Sequence, residues 1–318
     1  MRIVFFGTPD FAVETLKAVY KTKHEVAAVV TAPDKPAGRG RKLRISAVKE
    51  YALEHSLPVL QPTNLKSEDF SQQLKEIAPD IQIIVAFRML PEKVWNLPPK
   101  GTFNIHASLL PQYRGAAPIN HAIINGEKET GVTSFFLTKE IDTGSIIGKK
   151  KVLISEYDDA GSLHDKLMLQ GAELAVETLN QIDKGTANPI PQNTLIENAE
   201  KLKKAPKIFK DNCRIDWEQG AEIVYNFIRG LSPYPAAFTY LSDNEGFKKQ
   251  LKIFKTSKEY VFNVYETKSL FTDGKTYLKV ACADGLISIE ELQLEGKKRM
   301  DTESFLRGTK VSEKWTVE

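Results

Sequence analysis

Three side chains stand out for the chemistry their types and spacing allow. Asn104 and His106 are two residues apart in Thr-Phe-Asn-Ile-His, residues 102–106, a run that reads as a strand. Alternate residues of a strand share a face, so both side chains point the same way. An amide donor beside an imidazole can hold a developing oxyanion and manage a proton. Asp142 opens Asp142-Thr143-Gly144, after a further strand candidate at residues 132–137. A carboxylate at the end of that neighbouring strand can pair with His106, favouring the charged ring and fixing its orientation. Taken singly, each residue has an ordinary reading. A histidine at a strand end is usually structural, and Asp-Thr-Gly is a common turn. The aspartic-protease reading of Asp-Thr-Gly is remote, because one copy occurs inside an α/β pattern. His24, His55, His121 and His164 read as structural, and no cluster has metal-ligand spacing, so no metal is expected.

The elements that must position the trio come from periodicity. Residues 2–6, 24–31, 81–87, 102–106 and 132–137 read as strands, and residues 81–87 form the unbroken apolar run of a strand buried on both faces. Helical patterns fall at residues 46–55, 67–77 and 160–183. Thr8 can cap a further helix, with Pro9 at its first position. This alternation predicts an α/β fold, a Rossmann-like, doubly wound, mostly parallel sheet. The pattern changes near Lys184. Residues 185–206 are rich in proline and polar side chains and read as a linker. Beyond them come a short helix at residues 218–231 and short strands separated by Asp-Gly turns, which predicts a smaller C-terminal β-barrel, OB-fold-like. The domain reading is therefore 1–184, a linker at 185–206, and 207–318.

Whole-chain properties bound the function. The 318 residues include 42% hydrophobic and 27% charged, with a net charge of only +3. A soluble globular protein fits, and binding of nucleic acid through bulk charge does not. Basic residues concentrate instead at residues 35–44, where Lys35, Arg39, Arg41, Lys42 and Arg44 surround Gly38 and Gly40. This segment follows a strand directly, so it borders the crevice where open α/β sheets take ligands and suits a polyanionic substrate. Gly7, alone at the first strand-to-helix turn, lacks the other glycines of a dinucleotide fingerprint. With two cysteines, no signal peptide at the start and no long apolar run, the expected setting is the cytoplasm.

At this point the sequence resembles the folate-dependent formyltransferases. The pattern N-x-H-x-S-L-L-P-x-Y-R-G-x-x-P at residues 104–118, with Asp-Thr-Gly at 142–144, is specific to that group. Phe-Gly-Thr-Pro-Asp-Phe-Ala at residues 6–12, the segment 32–43, Arg214-Ile215-Asp216-Trp217 and Ser-Pro-Tyr-Pro at 232–235 are similar to the branch that formylates methionyl-tRNA. The resemblance covers nearly the whole chain. It implies that Asn104, His106 and Asp142 are catalytic and that 10-formyltetrahydrofolate is the formyl donor. Ser108, Leu109, Leu110 and Pro111 would border the folate, and the loop holding Phe87, Arg88, Met89 and Leu90 would receive its pteridine through backbone groups. Many relatives have a glycine after the aromatic residue there and a loop one residue longer. Arg39, with Arg41 and Lys42, would approach the acceptor end of the initiator methionyl-tRNA, to which the C-terminal barrel would add contacts. The expected protein supports translation initiation, has no membrane partner and acts as a monomer. Enzymes that formylate glycinamide ribonucleotide or amino-sugar nucleotides, or that hydrolyse formyl-folate, share the trio. The basic loop is what separates them.

Overall fold

The computed structural model describes residues 1–37, 42–243, 245–261, 265–312 and 314–318. The chain divides into two compact units. The first comprises residues 1–115, 129–153 and 164–204; the second comprises 116–128, 154–163 and 205–318.

The first unit is built on a seven-stranded sheet. Its strands are β1 (Arg2–Gly7), β2 (Glu25–Val30), β3 (Val59–Leu60), β4 (Ile81–Val85), β5 (Thr102–His106), β6 (Glu129–Phe136) and β7 (Ile146–Leu153), in the order β7-β6-β5-β4-β1-β2-β3. From β1 the chain winds outward through β2 to β3, then returns to β1's other side for β4 and β5, all in parallel. This is the doubly wound arrangement, and its direction reverses between β1 and β4. The carboxyl ends of strands at such a switch point border a crevice that nothing in the sheet fills. β6 and β7 extend the sheet antiparallel.

Local sequence explains the elements. Every residue of β4 is buried, as an inner parallel strand requires, and its one polar side chain, Gln82, accepts from the Thr102 hydroxyl. Helices α2 (Ala47–Glu54) and α3 (Glu68–Ile77) start at Ser46 and Ser67, whose hydroxyls accept from the backbone N–H three residues on. α1 (Asp10–Tyr20) differs from expectation: Pro9 itself occupies the cap position and no side chain caps the helix. Gly7 is explained by packing. A Cβ there would lie 2.6 Å from the Cβ of Ala12, so the glycine lets α1 close on β1. β7 escaped the sequence reading because Lys149, Lys150 and Lys151 look like a loop. They suit an edge strand: Lys150 pairs with Glu173 and Glu177 on the long helix α4 (Ala160–Asp183), and Lys151 pairs with Glu129.

The second unit is an antiparallel barrel. Strands β8 (Ala237–Ser242), β9 (Lys248–Tyr260), β10 (Leu270–Thr272), β11 (Leu278–Ala281), β12 (Gly285–Leu294) and β13 (Thr316–Val317) run in the order β10-β11-β12-β9-β8-β13. A bridge between Ser269 and Thr316 joins the two ends of this path, so the sheet nearly closes on itself. Trp217, fully buried, donates its indole N–H to Thr239 and anchors the core with Ile253, Leu292 and α5 (Ala221–Leu231). Among the described residues no helix is long and apolar enough to cross a membrane.

Candidate active site

His106 ends β5, next to the crevice, and is 7% exposed. Its Nε2 lies 2.9 Å from the carbonyl oxygen of Tyr113. A carbonyl can only accept, so Nε2 carries a proton whatever the charge of the ring. The other nitrogen, Nδ1, faces Asp142 Oδ2 at 3.9 Å. A neutral ring would turn a lone pair toward that carboxylate, whereas a charged ring turns an N–H toward it. The ring thus sits between a carbonyl on one side and a carboxylate on the other. The gap exceeds a hydrogen bond and leaves Nδ1 room for a third group.

The approach of Asp142 to His106 has an unexpected route. β6 is antiparallel to β5: Thr133 lies beside His106, and Phe136 beside Phe103. The end of β6 thus lies at the far end of the sheet from His106, and the two residues are not at neighbouring strand ends. Residues 137–145 must double back to deliver the carboxylate. Gly144 makes this possible, because a Cβ there would stand 1.6 Å from the Phe136 carbonyl oxygen. Asp142 itself has a left-handed backbone, φ +55°, as does Tyr113 at +60°. Such residues cost about 1–3 kcal/mol each and persist only where their surroundings fix them. The fixing groups are visible. The Gly115 N–H donates to Asp142 Oδ2 at 3.0 Å, and Gln192 Nε2 donates to the carbonyls of Asp142 (2.9 Å) and Gly144 (2.8 Å). Arg114 donates from Nε and Nη2 to Gln192 Oε1 at 3.0 and 2.6 Å. Burial lowers the Arg114 pKa, and the charges of Asp142 and Glu140 pull it the other way. A guanidinium stays charged, so it is a fixed cation beside the carboxylate.

Asn104 lies on the same strand, two residues before His106, and its Oδ1 is buried with no hydrogen-bond partner. A buried polar atom left without a partner requires a reason, and a site that takes a polar ligand supplies one. Sequence reading reached Asn104, His106 and Asp142 but not Gln192, which sits where a linker was expected. Its near-complete burial, 2% exposed, has no signature in a proline-rich polar stretch.

The other expected site residues are placed as follows. Ser108 is buried and donates to the Gln112 carbonyl, while Thr133 donates to the Ser108 carbonyl and accepts from the Leu110 N–H. The Leu110 side chain belongs to the core with Phe135 and Ile146, and Leu109 and Pro111 are half-buried. The loop after β4 begins at Ala86, φ +47°. Phe87 meets Phe6 edge-on at 5.6 Å, Leu90 is buried in the core, and Met89 is 68% exposed. Arg88 donates to the carbonyls of Pro62 and Thr63 and covers the Phe87 ring. Arg39 and Arg41 lie outside the described residues. Lys42 starts a short strand, Lys42–Arg44, paired with Lys35–Ala37.

The profile of the formyl transferase family matches residues 1–179, and that of the formyl transferase C-terminal domain matches residues 207–310. The chain belongs to the formyl transferase family. It is similar to methionyl-tRNA formyltransferase of Bacteroides thetaiotaomicron, 54% identical over 313 residues, which cover 98% of this chain and 97% of that one. It is also similar to methionyl-tRNA formyltransferase of Flavobacterium johnsoniae, 48% identical over 317 residues, covering 100% and 99%. Among solved structures, an N-formyltransferase from Helicobacter canadensis in complex with folinic acid and dTDP-3-aminofucose has a TM-score of 0.65 at 21% identity, covering 94% of this chain and 99% of that one. HypX from Aquifex aeolicus in complex with tetrahydrofolic acid has a TM-score of 0.62 at 20% identity, covering 96% and 47%. At these identities the likeness is one of fold. In this formyl transferase the carbon to be moved is an electrophile whose oxygen gains charge as an amine attacks. The site described above holds an amide, an imidazole and a carboxylate: Asn104, His106 and Asp142.

Proposed function

We propose that this formyl transferase moves a formyl group from 10-formyltetrahydrofolate to the free amino group of methionyl initiator tRNA, acting as a cytoplasmic monomer in translation initiation. The observation that carries the acceptor is that the likeness to proteins named methionyl-tRNA formyltransferase, at about half identity, runs through both halves of the chain. The unpartnered Asn104 oxygen and the loop of residues 85–90 at the switch point fit a flat, polar donor. The donor supplies the formyl carbon; the protein does the rest. Asn104 Nδ2 and His106 Nδ1–H steady the oxygen that becomes negative as the amine attacks. Removing one such donor costs on the order of a hundredfold or more in rate. Asp142 keeps His106 charged and takes up the amine proton on its way to the departing nitrogen. The loop carrying Arg39, Arg41 and Lys42 approaches the acceptor end.

A surface of the second unit suits an RNA strand. A cavity of about 410 Å³ is lined by Lys207, Lys210 and Lys252, by Gln250, and by Tyr234, a residue 84% exposed. Lysines meet phosphates and an exposed ring can stack a base. Replacing Lys207 and Lys252 together by alanine is expected to raise the KM for tRNA several-fold with kcat unchanged. It should also flatten the salt dependence of tRNA binding by about 0.7–0.9 per lost phosphate contact. An unaltered salt slope would remove this face from the tRNA path.

The deciding experiment incubates the chain with 10-formyltetrahydrofolate and methionyl initiator tRNA, with uncharged tRNA and glycinamide ribonucleotide as controls. Formylation of the charged tRNA alone is expected. Formylation of glycinamide ribonucleotide instead would overturn the acceptor and keep the chemistry. Strong tRNA binding without any transfer would overturn both.

A further inference from the structure

We infer that Gln192 is a positioning residue for catalysis, a buried side chain that ties the backbone of the Asp142 turn to the loop holding His106. The inference rests on the formyl-transfer reading. Gln192 uses all of its amide: Oε1 accepts twice from Arg114, and Nε2 donates to the carbonyls of Asp142 and Gly144. The two groups it joins are the two that set the proton geometry. One is the stretch Tyr113, Arg114 and Gly115, whose Tyr113 carbonyl fixes His106 Nε2–H and whose Gly115 N–H holds Asp142 Oδ2. The other is the turn of Asp142 and Gly144, which doubles back from the far end of the sheet with a left-handed Asp142. A turn in that conformation is held from outside or not at all. Gln192 is 2% exposed, and Ile190, two residues earlier, is tied to Ile146 by two backbone hydrogen bonds of 2.8 Å. The clamp therefore stands on a fixed base. Its orientation is also determined: only the NH₂ end can serve two carbonyls, and only the oxygen end can serve a guanidinium.

Gln192→Met keeps most of the volume and removes all four bonds. It is expected to lower kcat tenfold or more, with the KM for both substrates within about twofold, since no substrate contact is lost. Gln192→Glu separates the two ends. It keeps, even strengthens, the pairing with Arg114 but sets a carboxylate against two carbonyls, so it should lose as much as Gln192→Met. Near-normal kcat in Gln192→Glu would overturn the inference. A double-mutant cycle gives the second reading. If Gln192 acts through Asp142, then Gln192→Met combined with Asp142→Asn is no slower than Asp142→Asn alone; losses that multiply would overturn it. A third readout needs no turnover: the imidazole ¹⁵N signals of His106 and their pH titration. These should differ between the unsubstituted chain and Gln192→Met, and identical titrations would again overturn it. If the unsubstituted chain transfers no formyl group, the formyl-transfer reading fails, and the imidazole signals still decide the role of Gln192.

Discussion

Replacing His106 with alanine is expected to lower formyl transfer by on the order of a hundredfold or more while the protein stays folded. The imidazole stands at the strand end, with its Nε2–H held by the Tyr113 carbonyl and its Nδ1 facing Asp142. Its structural duties are lighter. It meets Phe135 edge-on at 6.5 Å and closes one hydrogen bond. β5 keeps its backbone ladder with β4 and β6, and the β5 strand end keeps Ile105 in the core. The measurement is kcat at saturating donor and acceptor, beside the thermal unfolding midpoint. A variant that melts normally and still transfers at a near-normal rate would sink the assignment. His106→Asn, which keeps a neutral donor, is expected to fall between the two.

Gly144→Ala is expected to have the second largest effect, although it removes no chemical group. A methyl at this position would stand 1.6 Å from the Phe136 carbonyl oxygen and 2.8 Å from its carbon. Neither atom can yield, since Phe136 ends β6 and its N–H is bonded to the Ser145 carbonyl. The turn must move instead, and it carries Asp142 and the carbonyl that Gln192 grips. A shift of about 1 Å in a catalytic group can cost on the order of a hundredfold in rate. Overpacking of this kind also costs about 1–3 kcal/mol of stability. The expected outcome is a folded protein with a lower melting temperature and kcat reduced at least about tenfold. Unchanged kcat would mean that the turn does not need its present path.

The sequence made much of this site legible because strand periodicity is strict. Two residues apart on an apolar run, Asn104 and His106 had to share a face, and they do. The buried run of β4 and the alternation of strands and helices were equally direct. What stayed hidden depends on direction and distance. Nothing in residues 129–136 says whether that strand runs with β5 or against it. The reversal at Gly144 is therefore visible only in three dimensions. β7 was masked by its lysines, whose acidic partners lie on a helix and on the neighbouring strand, about 20 or more residues away. Gln192 was hidden by its surroundings: prolines and polar residues look alike whether they cross open surface or line a packed groove.

The bond between Ile146 and Ile190 has a consequence for how this chain can be divided. β7 is the outermost strand of its sheet, and an outermost strand offers unpaired N–H and C=O groups to any passing chain. Ile190 takes up that offer at one end of β7, with reciprocal hydrogen bonds to Ile146. A fragment ending after the long helix, near residue 184, would retain Asn104, His106 and Asp142. It would lack the residue that closes the margin of the sheet. Such a fragment would leave the Ile146 end of β7 uncovered, with its lysine-bearing stretch the only remaining protection of that edge among the described residues. A stand-alone first unit that keeps this end of β7 covered must extend past Ile190, and the compact unit observed runs to Lys204.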